Sequence, residues 1–514
     1  MTTPAAEHPL DALWRPRATA IVGVSSRQDQ RGGGGFLQSI MEQGYHERRP
    51  LYPVNPKMAE VAGLKCYPSI LDCPDPVDHV ISQIPAANVP QLVDQCIEKG
   101  VKSIHFFTAG FSETGDSDRA DLERQVLGKL KAAGIRVIGP NCMGLYVPGI
   151  GLAFMGQFPK EPGNVFLLSQ SGANAGDIVG GLARRGVRFS KVVSYGNGAD
   201  LDAQHFFDYA AWDPQTEVVT AYIEGVKDGR AVFEAMKRCA AVKPTIVLKG
   251  GLSAAGARAA NSHTGSLAGS MDVFEALTRQ AGAIRAENMD ELHDLVVAMT
   301  TKLKTVKGTG VALVGGGGGF AVLSADAIAA AGLDTPPLPE DVQEKLREFI
   351  PVAGTSVRNP VDTNMMGGPD GRRRMRDTLT LVGHSDPIDT VLATVGGWDD
   401  WRDGPPADGA TGTSTPAVAT TGDADPALQG SSGSRAERAR EAAGDLGALQ
   451  GLVGKPFVAV QRDRTGGDRD ASRAFLDEAY FQGVAVFPTV HRAAKTIGRL
   501  LEWRKRRAGL PPVV

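Results

Sequence analysis

Short apolar segments rich in β-forming residues alternate along the chain with longer segments whose apolar residues recur at helical spacing. The first short segment, ATAIVGVSS, starts at Ala18 and is followed, after a run of glycines, by the helix-like stretch FLQSIMEQGY. Four more strands are predicted at RPLYPVNP, DHVISQIP, VKSIHFFTAGF and IRVIGPN. This alternation predicts a parallel, doubly wound sheet with its ligand-binding loops at the carboxyl ends of the strands.

The same strand–turn–helix design starts twice more. NVFLLSQSGANAGDIVGGLARRG opens a second unit after the proline-flanked joint QFPKEPGN, and GTGVALVGGGGGFAVLSADAIAAAGL opens a third at Gly308. The pattern breaks after about residue 402, where a low-complexity stretch without aromatic residues begins. Such a stretch cannot bury enough apolar surface to offset chain entropy, so we predict a disordered insertion at about residues 402–450.

Length and composition narrow the class of protein. A chain of 514 residues predicts about three domains, because domains average roughly 150 residues. The balance of 55 basic and 58 acidic residues argues against a nucleic-acid binder. Five scattered cysteines without a CxxC pair offer no zinc site and are typical of reduced thiols. With neither an apolar leader nor a long apolar run, the sequence predicts a cytoplasmic protein without a membrane segment and without a metal site.

A nicotinamide-dependent dehydrogenase is the first candidate that the opening turn suggests. Its fingerprint requires GxGxxG directly after the first strand and an acidic residue about 20 residues later. Here Gly23 is followed by Val-Ser-Ser-Arg, and the glycine run Gly32–Gly35 comes too late. The second strand ends at Asn55-Pro56-Lys57, where an amide and a cation replace the carboxylate. The cation suits a phosphorylated nucleotide better than a free ribose, which disfavours the dehydrogenase.

A series of motifs in fixed order points to one family. The motifs are, in order, IVGVSS, YPVNPK, LKCYPSILDCPDPVD, FTAGFSETG, IGPNCMG, LLSQSGANAGDI, FSKVVSYGNGADLD, YIEGVKDGR, VLKGG, ARAANSHTGSLAGS, ALVGGGGG and SVRNPVD. This series, which extends to about Asp362, resembles that of the NDP-forming (ADP-forming) acyl-CoA synthetases, which include acetate–CoA ligases and are related to the succinyl-CoA synthetase alpha subunit.

The resemblance implies an α/β fold of three domains. A Rossmann-like CoA-binding domain would cover residues 1–150, and a flavodoxin-like domain with a phosphohistidine loop would cover 151–304. A second flavodoxin-like ligase domain, interrupted by the predicted insertion, would cover 305–514.

The candidate nucleophile is His263 in NSHTGSLAGS. A lone histidine is usually structural, but an imidazole near its ordinary pKa of ~6.5 is largely neutral at pH 7 and can attack phosphorus. The resemblance implies that His263 is phosphorylated transiently. It also implies that Glu224, in YIEGVKDGR, lies beside the ring, orients it and stabilises the charged phosphoimidazole. On sequence alone, Glu224 is equally compatible with a solvated carboxylate at a strand end.

Two turns are candidates for binding phosphate. The sequence Ser169-Gln170-Ser171-Gly172 ends a strand and starts a helix, and a helix N-terminus favours an anion. An ordinary N-cap is the alternative, because serine is a preferred capping residue. By resemblance, Ser171 and Gly172 contact the phosphate on histidine. Gly315–Gly319 occupies the equivalent place in the third unit, without an adjacent cation.

The resemblance also implies a set of CoA contacts at the ends of the early strands. They are Gly23, Ser25, Asn55, Lys57 and Asn141. Lys57 could meet a CoA phosphate as a point charge. The segment RQDQRGGGG departs from the shorter loop that is usual in the family, which affects the expected phosphate contacts.

The implied reaction converts acid, CoA and ATP to acyl-CoA, ADP and phosphate through an acyl phosphate and a phosphohistidine. Full synthetases also need an ATP-grasp module, and the roughly 150 residues after SVRNPVD are too few for one. We therefore predict that the chain is the alpha-type subunit of a hetero-oligomer and that it uses coenzyme A as a substrate. ATP/ADP and Mg²⁺ would bind on a separate ATP-grasp beta-type partner. The alternative is a non-catalytic CoA-sensing or scaffold protein derived from that family. The sequence leaves the carboxylic acid open.

Overall fold

The computed structural model describes residues 8–25, 35–253, 255–256, 270–351, 354–363, 371–395, 434–461 and 469–508. The chain divides into two compact units. The first unit comprises residues 1–183, 187–296 and 503–514, and the second comprises 184–186 and 297–502. The described part of the first unit contains two large sheets, and that of the second unit contains one.

The first sheet of the first unit is five-stranded and fully parallel. Its strands are β1 (Thr19–Val22), β2 (Leu51–Val54), β5 (His79–Ser82), β6 (Ser103–Phe106) and β7 (Arg136–Ile138), and β3 (Glu60–Val61) and β4 (Leu64–Lys65) form a small antiparallel ladder. The helices are α1 (Asp11–Trp14), α2 (Gly35–Glu42), α3 (Val89–Lys99) and α4 (Ser117–Ala132). The strand order β2-β1-β5-β6-β7 changes direction between β1 and β5, which is where open sheets of this kind bind ligands.

The second sheet has six strands in the order β13-β12-β11-β9-β10-β8, of which only β8 is antiparallel. The strands are β8 (Gly144–Tyr146), β9 (Val165–Ser169), β10 (Phe189–Ser194), β11 (Val218–Ile223), β12 (Thr245–Lys249) and β13 (Ile284–Ala286). The helices are α5 (Gly172–Ala183), α6 (Ala203–Trp212), α7 (Gly229–Val242), α8 (Met271–Ala281) and α9 (Met289–Thr300). All residues of β9, β10 and β12 are buried, as expected for parallel strands covered on both faces.

The sheet of the second unit also has six strands, in the order β15-β16-β14-β17-β18-β19. The strands are β14 (Val311–Val314), β15 (Ser356–Val357), β16 (Val361–Asp362), β17 (Thr390–Thr394), β18 (Phe457–Val460) and β19 (Ala485–Phe487). The helices are α10 (Gly318–Ala330), α11 (Glu340–Arg347), α12 (Gly371–His384), α13 (Arg435–Val453), α14 (Arg469–Phe481) and α15 (Val490–Arg507). Across both units, the described residues also include five short 3₁₀ helices, at Ile70–Asp72, Ala86–Asn88, Ser112–Thr114, Pro148–Ile150 and Lys302–Thr305.

The three large sheets share one topology. Counting the parallel strands of each sheet along the chain, their spatial order is second, first, third, fourth, fifth. An antiparallel strand is added at one edge of the second and third sheets. The predicted fold class, a Rossmann-like domain followed by two flavodoxin-like doubly wound domains, is therefore confirmed.

The boundaries of the predicted segments differ from the structure in two places. The second sheet begins before the expected boundary at residue 150, because β8 pairs with β10. The insertion expected at about residues 402–450 is wrong in its last part, because α13 occupies Arg435–Val453. Ser434 and Glu437 form a capping box there, and the helix buries alanine and leucine side chains, which compensates for the lack of aromatic residues. Residues 402–433 lie outside the described part of the chain.

Within the first unit, a segment that follows β10 covers the edge strand of the first sheet. The backbone amides of Asn197, Ala199 and Leu201 donate to carbonyls at Pro140, Gly139 and Val137, with distances of 2.9–3.2 Å. The carboxylate of Asp200 accepts from the amide of Val137 at 2.8 Å and from the guanidinium of Arg136 at 2.9 and 3.1 Å. These bonds occupy the otherwise unpaired edge of β7 and hold the two sheets together.

Two buried histidines make the stability of the first sheet dependent on pH. Burial lowers the pKa of His79 to about 3 and that of His105 to about 4, against ~6.5 in an unfolded chain. The unfolded state therefore takes up protons below pH ~6.5 that the folded state does not, and stability falls as pH falls through that range. Between pH 7.5 and 5.5 we expect a loss of about 1.4 kcal/mol per histidine in the free energy of unfolding, measured by urea titration.

His79→Gln is the matched variant for this pH dependence. The replacement retains a polar partner for Ser103, whose hydroxyl lies 2.8 Å from His79 Nδ1, but it cannot take up a proton. About half of the acid destabilisation should disappear in the variant. An unchanged pH dependence would contradict the assignment.

Candidate active site

The first group of candidate residues lies at the carboxyl end of β1 and β2. Gly23 follows β1 with a φ of +97°, and a Cβ there would lie 2.9 Å from Cγ2 of Ile84, so both the backbone conformation and the space require glycine. Asn55 follows β2, and its side-chain amide donates to the carbonyl of Val24 at 2.6 Å. Its side-chain oxygen accepts from the amide of Lys57 at 2.9 Å. Asn55 thereby joins the two loops that flank the strand-order reversal.

The other predicted CoA contacts are distributed along this edge. Ser25 and Lys57 are exposed on the loops that Asn55 joins. Asn141 instead follows β7, three strands from β1, which corresponds to roughly 14 Å at the usual spacing between strands. Asn141 has a φ of +58°, and its amide donates to the carbonyl of Thr108 at 3.0 Å. The structure thus brings four of the five residues together and places Asn141 at the far end of the edge.

The second group lies where β9 meets α5. Ser171 caps the helix, since its hydroxyl accepts from the amide of Asn174 at 3.3 Å. Gly172 begins the helix, and a Cβ there would lie 2.5 Å from Cγ of Met143. The amide of Met143 donates to the hydroxyl of Ser194 at 3.1 Å. The capping role expected as an alternative for Ser171 is therefore present, and the helix N-terminus retains its partial positive charge.

Glu224 follows β11, the strand next to β9, and is not a solvated strand-end carboxylate. Glu224 is only 7% exposed. The side-chain oxygen of Gln170, in the SQSG turn, accepts from the amides of Glu224 at 2.8 Å and Gly225 at 3.0 Å. The ammonium of Lys249, at the end of β12, donates to the carbonyls of Glu224 and Gly250 at 2.5 Å each. Glu224 is thus held from both neighbouring strands.

A tyrosine lies close to the side chain of Glu224. A Cβ on Gly250 would lie 2.5 Å from the hydroxyl of Tyr222 and 3.4 Å from Cγ of Glu224, so both side chains adjoin the backbone of Gly250. Burial, together with the nearby charge of Glu224, raises the pKa of Tyr222 to about 12. Burial lowers the pKa of Lys249, and the charge of Glu224 partly opposes this. A buried acid, a buried base and a helix N-terminus therefore converge at the carboxyl end of the second sheet.

His263 lies outside the described residues, and its position relative to Glu224 remains a prediction. The glycine run of the third sheet is described. Gly315 and Gly316 have φ values of +98° and +77° after β14, and Gly317 caps α10. The run therefore occupies the same topological position in the second unit as the SQSG turn in the first.

Sequence reasoning missed three residues of this site, namely Gln170, Tyr222 and Lys249. Tyr222 could have been found, since residues two apart on a strand lie on the same face and Tyr222 precedes Glu224 by two. The sequence places Gln170 in the SQSG turn but indicates no role for it. Its contact with the backbone of Glu224 depends on the pairing of β9 with β11, which the sequence alone does not give.

Three family matches cover most of the described chain. Residues 17–148 match the CoA binding domain, residues 162–299 the succinyl-CoA ligase like flavodoxin domain, and residues 311–406 the Ligase-CoA domain. The alpha subunit of acetate–CoA ligase (ADP-forming) II from Pyrococcus furiosus is 38% identical over 385 residues, which cover 75% of this chain and 82% of that subunit. The chain belongs to the ADP-forming acetate–CoA ligase family.

A longer relative and a solved structure also match the chain. Acetate–CoA ligase (ADP-forming) I from Archaeoglobus fulgidus is 37% identical over 384 residues, which cover 74% of this chain but only 54% of that protein. The chain thus matches about half of that relative. The solved structure of acetyl-coenzyme A synthetase 1 from Ca. Korarchaeum cryptofilum, in complex with phosphate and ADP, superposes with a TM-score of 0.75 at 28% identity and covers 97% of both chains.

The family domains contain all the predicted site residues. The CoA binding domain includes the five candidate CoA contacts, and the flavodoxin domain includes Ser171, Gly172, Glu224 and His263. Among the described residues, no cluster of three or more histidine, cysteine, aspartate or glutamate side chains is arranged to hold a metal ion. None of the helices in the described ranges is both long and apolar enough to cross a membrane.

Proposed function

We propose that this chain is the alpha-type part of an ADP-forming acyl-CoA synthetase that forms a thioester from a small carboxylic acid and CoA. The observation that supports this most directly is the geometry around Glu224. Glu224 is buried, and its backbone amide donates to the side-chain oxygen of Gln170 in the turn that leads into α5. This supports a site in which a carboxylate and a helix N-terminus together hold a phosphohistidine.

His263 is the proposed nucleophile in this reaction. Its ring nitrogen takes the phosphoryl group of ATP and transfers it to the acid, which becomes an acyl phosphate. The CoA thiol then attacks the acyl carbon, the thioester forms and phosphate leaves. Glu224 would bind the second ring nitrogen and stabilise the positive charge of the phosphoimidazole, while the N-terminus of α5, with Ser171 and Gly172, would bind the phosphoryl oxygens.

CoA is proposed to bind at the carboxyl end of the first sheet. Gly23, Ser25, Asn55 and Lys57 would contact its nucleotide part beside the strand-order reversal, as this topology favours. Asn141 would lie beside the distal, thiol-bearing part, because it sits on the side of this edge that is joined to the second sheet. The three predicted domains at 1–150, 151–304 and 305–514 would divide these tasks.

The nucleotide is proposed to bind on a separate ATP-grasp partner, together with Mg²⁺. The support is that a Pyrococcus relative covered by this chain over 82% of its length is named an alpha subunit. The five cysteines are free and buried, which is compatible with the proposed cytoplasmic location.

The test is reconstitution with the ATP-grasp subunit of an ADP-forming acetate–CoA ligase. We expect the chain alone to bind CoA, measured by calorimetry, and to form no acyl-CoA from ATP. With the partner, ATP and CoA, acyl-CoA should form from at least one member of a panel containing acetate, a longer aliphatic acid and an aryl acid. CoA binding without turnover on any acid would favour the CoA-sensing alternative. Robust turnover by the single chain would refute the division between subunits.

Asn55→Ala tests the CoA site. Loss of the two side-chain bonds should release the loops from each other and weaken CoA binding by about tenfold, the effect of one to two ordinary hydrogen bonds. Asn55→Asp is the matched variant, since it retains the acceptor for the Lys57 amide but loses the donor to Val24 and adds a negative charge facing the CoA phosphates. It should bind CoA at least as weakly as the alanine variant. Calorimetric affinities equal to that of the unmodified protein would place CoA elsewhere.

A further inference from the structure

Three loops meet at Asn141, the residue proposed to lie beside the thiol-bearing part of CoA. The amide of Asn141 donates to the carbonyl of Thr108, in the loop that follows β6. The amide of Asn197, in the segment that follows β10, donates to the carbonyl of Pro140 at 3.0 Å. Gly196 has a φ of +52°, and a Cβ there would clash with the carbonyl of Asn141. Loops of both sheets therefore border the proposed thiol end of the CoA site.

Glu113 shapes the loop after β6 and joins it to the second sheet. Its Oε1 accepts from the amides of Gly110 at 2.6 Å and Phe111 at 3.2 Å, which closes the loop on itself. Its Oε2 accepts from the side-chain amide of Asn197 at 2.8 Å. The carboxylate thus fixes both the shape of this loop and its position against the segment after β10.

The segment after β10 is also bonded to the loop that carries Glu224. The carbonyl of Gly198 accepts from the ammonium of Lys227 at 3.1 Å. Lys227 follows Glu224 by three residues in the loop after β11. A path of hydrogen bonds and short backbone segments therefore runs from the loop after β6, through Asn197 and Gly198, to the Glu224 loop.

The side chain of Asn197 is expected to contribute little net stability. Asn197 is only 8% exposed, and its Oδ1 is buried without a hydrogen-bond partner in the part of the chain that the structure describes. The cost of an unpaired buried acceptor is comparable with the gain from one hydrogen bond to a carboxylate. Because native proteins pair almost all of their buried polar groups, this exception calls for a reason other than stability.

We propose that Asn197 is a positioning residue for thioester formation, which holds the loop after β6 against the segment after β10 and thereby aligns the thiol end of CoA with the Glu224 loop. The inference rests on the proposed function, because this alignment matters only if CoA bound at the first sheet attacks an acyl group held at the second. Attack requires the reacting atoms to be about 3–3.5 Å apart, and a displacement of about 1 Å can lower the rate about a hundredfold.

The experiment isolates the thioester-forming step in the complex with the ATP-grasp partner, without ATP. The substrate is the acyl phosphate of an acid that the unmodified complex accepts. The CoA sulfur forms a bond to the acyl carbon, the bond from that carbon to the phosphate oxygen breaks, and phosphate leaves with the thiol proton. Asn197→Leu removes the bond to Glu113 and nearly retains the shape of the side chain. We expect kcat to fall about ten- to a hundredfold, with KM for CoA within about threefold of the unmodified value.

Two readouts separate positioning from binding and from general damage. In Asn197→Leu, the calorimetric affinity for adenosine 3′,5′-bisphosphate, the nucleotide end of CoA, should be unchanged, and so should the midpoint of urea unfolding. Asp200→Ala is the matched control, because Asp200 joins the same two sheets through Arg136 and Val137, at the amino end of β7 and away from the proposed site. This control should be less stable than Asn197→Leu, yet its kcat should remain within about twofold of the unmodified value.

An exchange of the two bonded groups tests the bond itself. Asn197→Asp places a second carboxylate opposite that of Glu113 and should lower kcat at least as much as Asn197→Leu, because like charges repel. Addition of Glu113→Gln restores a donor and an acceptor. The glutamine oxygen can still accept from Gly110 and Phe111, while its amide donates to the new aspartate. The double variant should recover most of the lost rate.

The outcomes distinguish this inference from the function on which it rests. Absence of thioester formation by the unmodified complex would overturn the proposed function and the role of Asn197 with it. With an active unmodified complex, an equal kcat in Asn197→Leu would overturn the inference alone. An equal fall of kcat in Asp200→Ala, or a loss that lies in KM for CoA, would also overturn it, since the cause would then be general loosening or weaker binding. Failure of Glu113→Gln to rescue Asn197→Asp would show that Asn197 does not act through Glu113 and would overturn it as well.

Discussion

His263→Ala is expected to abolish the acid-labile, base-stable phosphoryl label and to reduce synthetase turnover with the ATP-grasp partner by at least about a thousandfold. The imidazole is the proposed carrier between the nucleotide and the acid, and alanine offers no atom that can take a phosphoryl group. CoA binding should be unchanged, because the candidate CoA contacts lie on the first sheet. The label is measured after incubation of the pair with [γ-³²P]ATP, and turnover by the release of ADP.

Glu224→Gln is the companion variant to His263→Ala. It retains the size of the side chain and the possibility of a hydrogen bond but loses the charge that would stabilise a phosphoimidazolium. We expect a label that forms more slowly and reaches a lower level, in contrast to the complete loss in His263→Ala. Full labelling of the His263→Ala variant would place the phosphorylated residue elsewhere and remove the central residue of the mechanism.

Asp213→Ala is expected to lower the free energy of unfolding by about 3–5 kcal/mol, which is the usual cost of leaving a buried charge unpaired. Lys191 on β10 and Asp213 after α6 are 1% and 0% exposed, and the ammonium lies 2.7 Å from Oδ2 of Asp213. Gln215 and Thr216 complete the network, as the ammonium also donates to the Gln215 side chain at 2.9 Å and the Thr216 hydroxyl to Asp213 at 2.7 Å. Removal of the carboxylate leaves the ammonium of Lys191 buried without its counter-ion.

A paired replacement controls for this effect. Burial lowers the pKa of Lys191, and the bond to Asp213 opposes this, so the cation depends on its partner. The double variant Lys191→Met with Asp213→Leu removes both charges and should recover most of the stability lost in Asp213→Ala. Unfolding is followed by circular dichroism in urea. Equal stability of the single variant and the unmodified protein would show that the pair contributes no net stabilisation.

The sequence predicted the strands of the first sheet and the start of each of the three units, because buried parallel strands form short apolar runs that end in turn residues. It also located Glu224 at the end of a strand. It could not give the bonds between Gln170 and the backbone of Glu224, since these depend on the adjacency of β9 and β11. The sequence pattern did not predict helix α13 for another reason. Its buried face consists mainly of alanine and leucine, and its sequence lies next to a low-complexity stretch.

The two sheets of the first unit are joined along the edge of β7. β7 pairs with β6 on one side only, and its outer edge finds hydrogen-bond partners in the segment 199–201, which follows β10 of the second sheet. Cutting the chain near residue 150 would free a row of backbone groups that invites strand pairing between copies. The two sheets of the first unit therefore form one structural module, although each has a complete doubly wound topology.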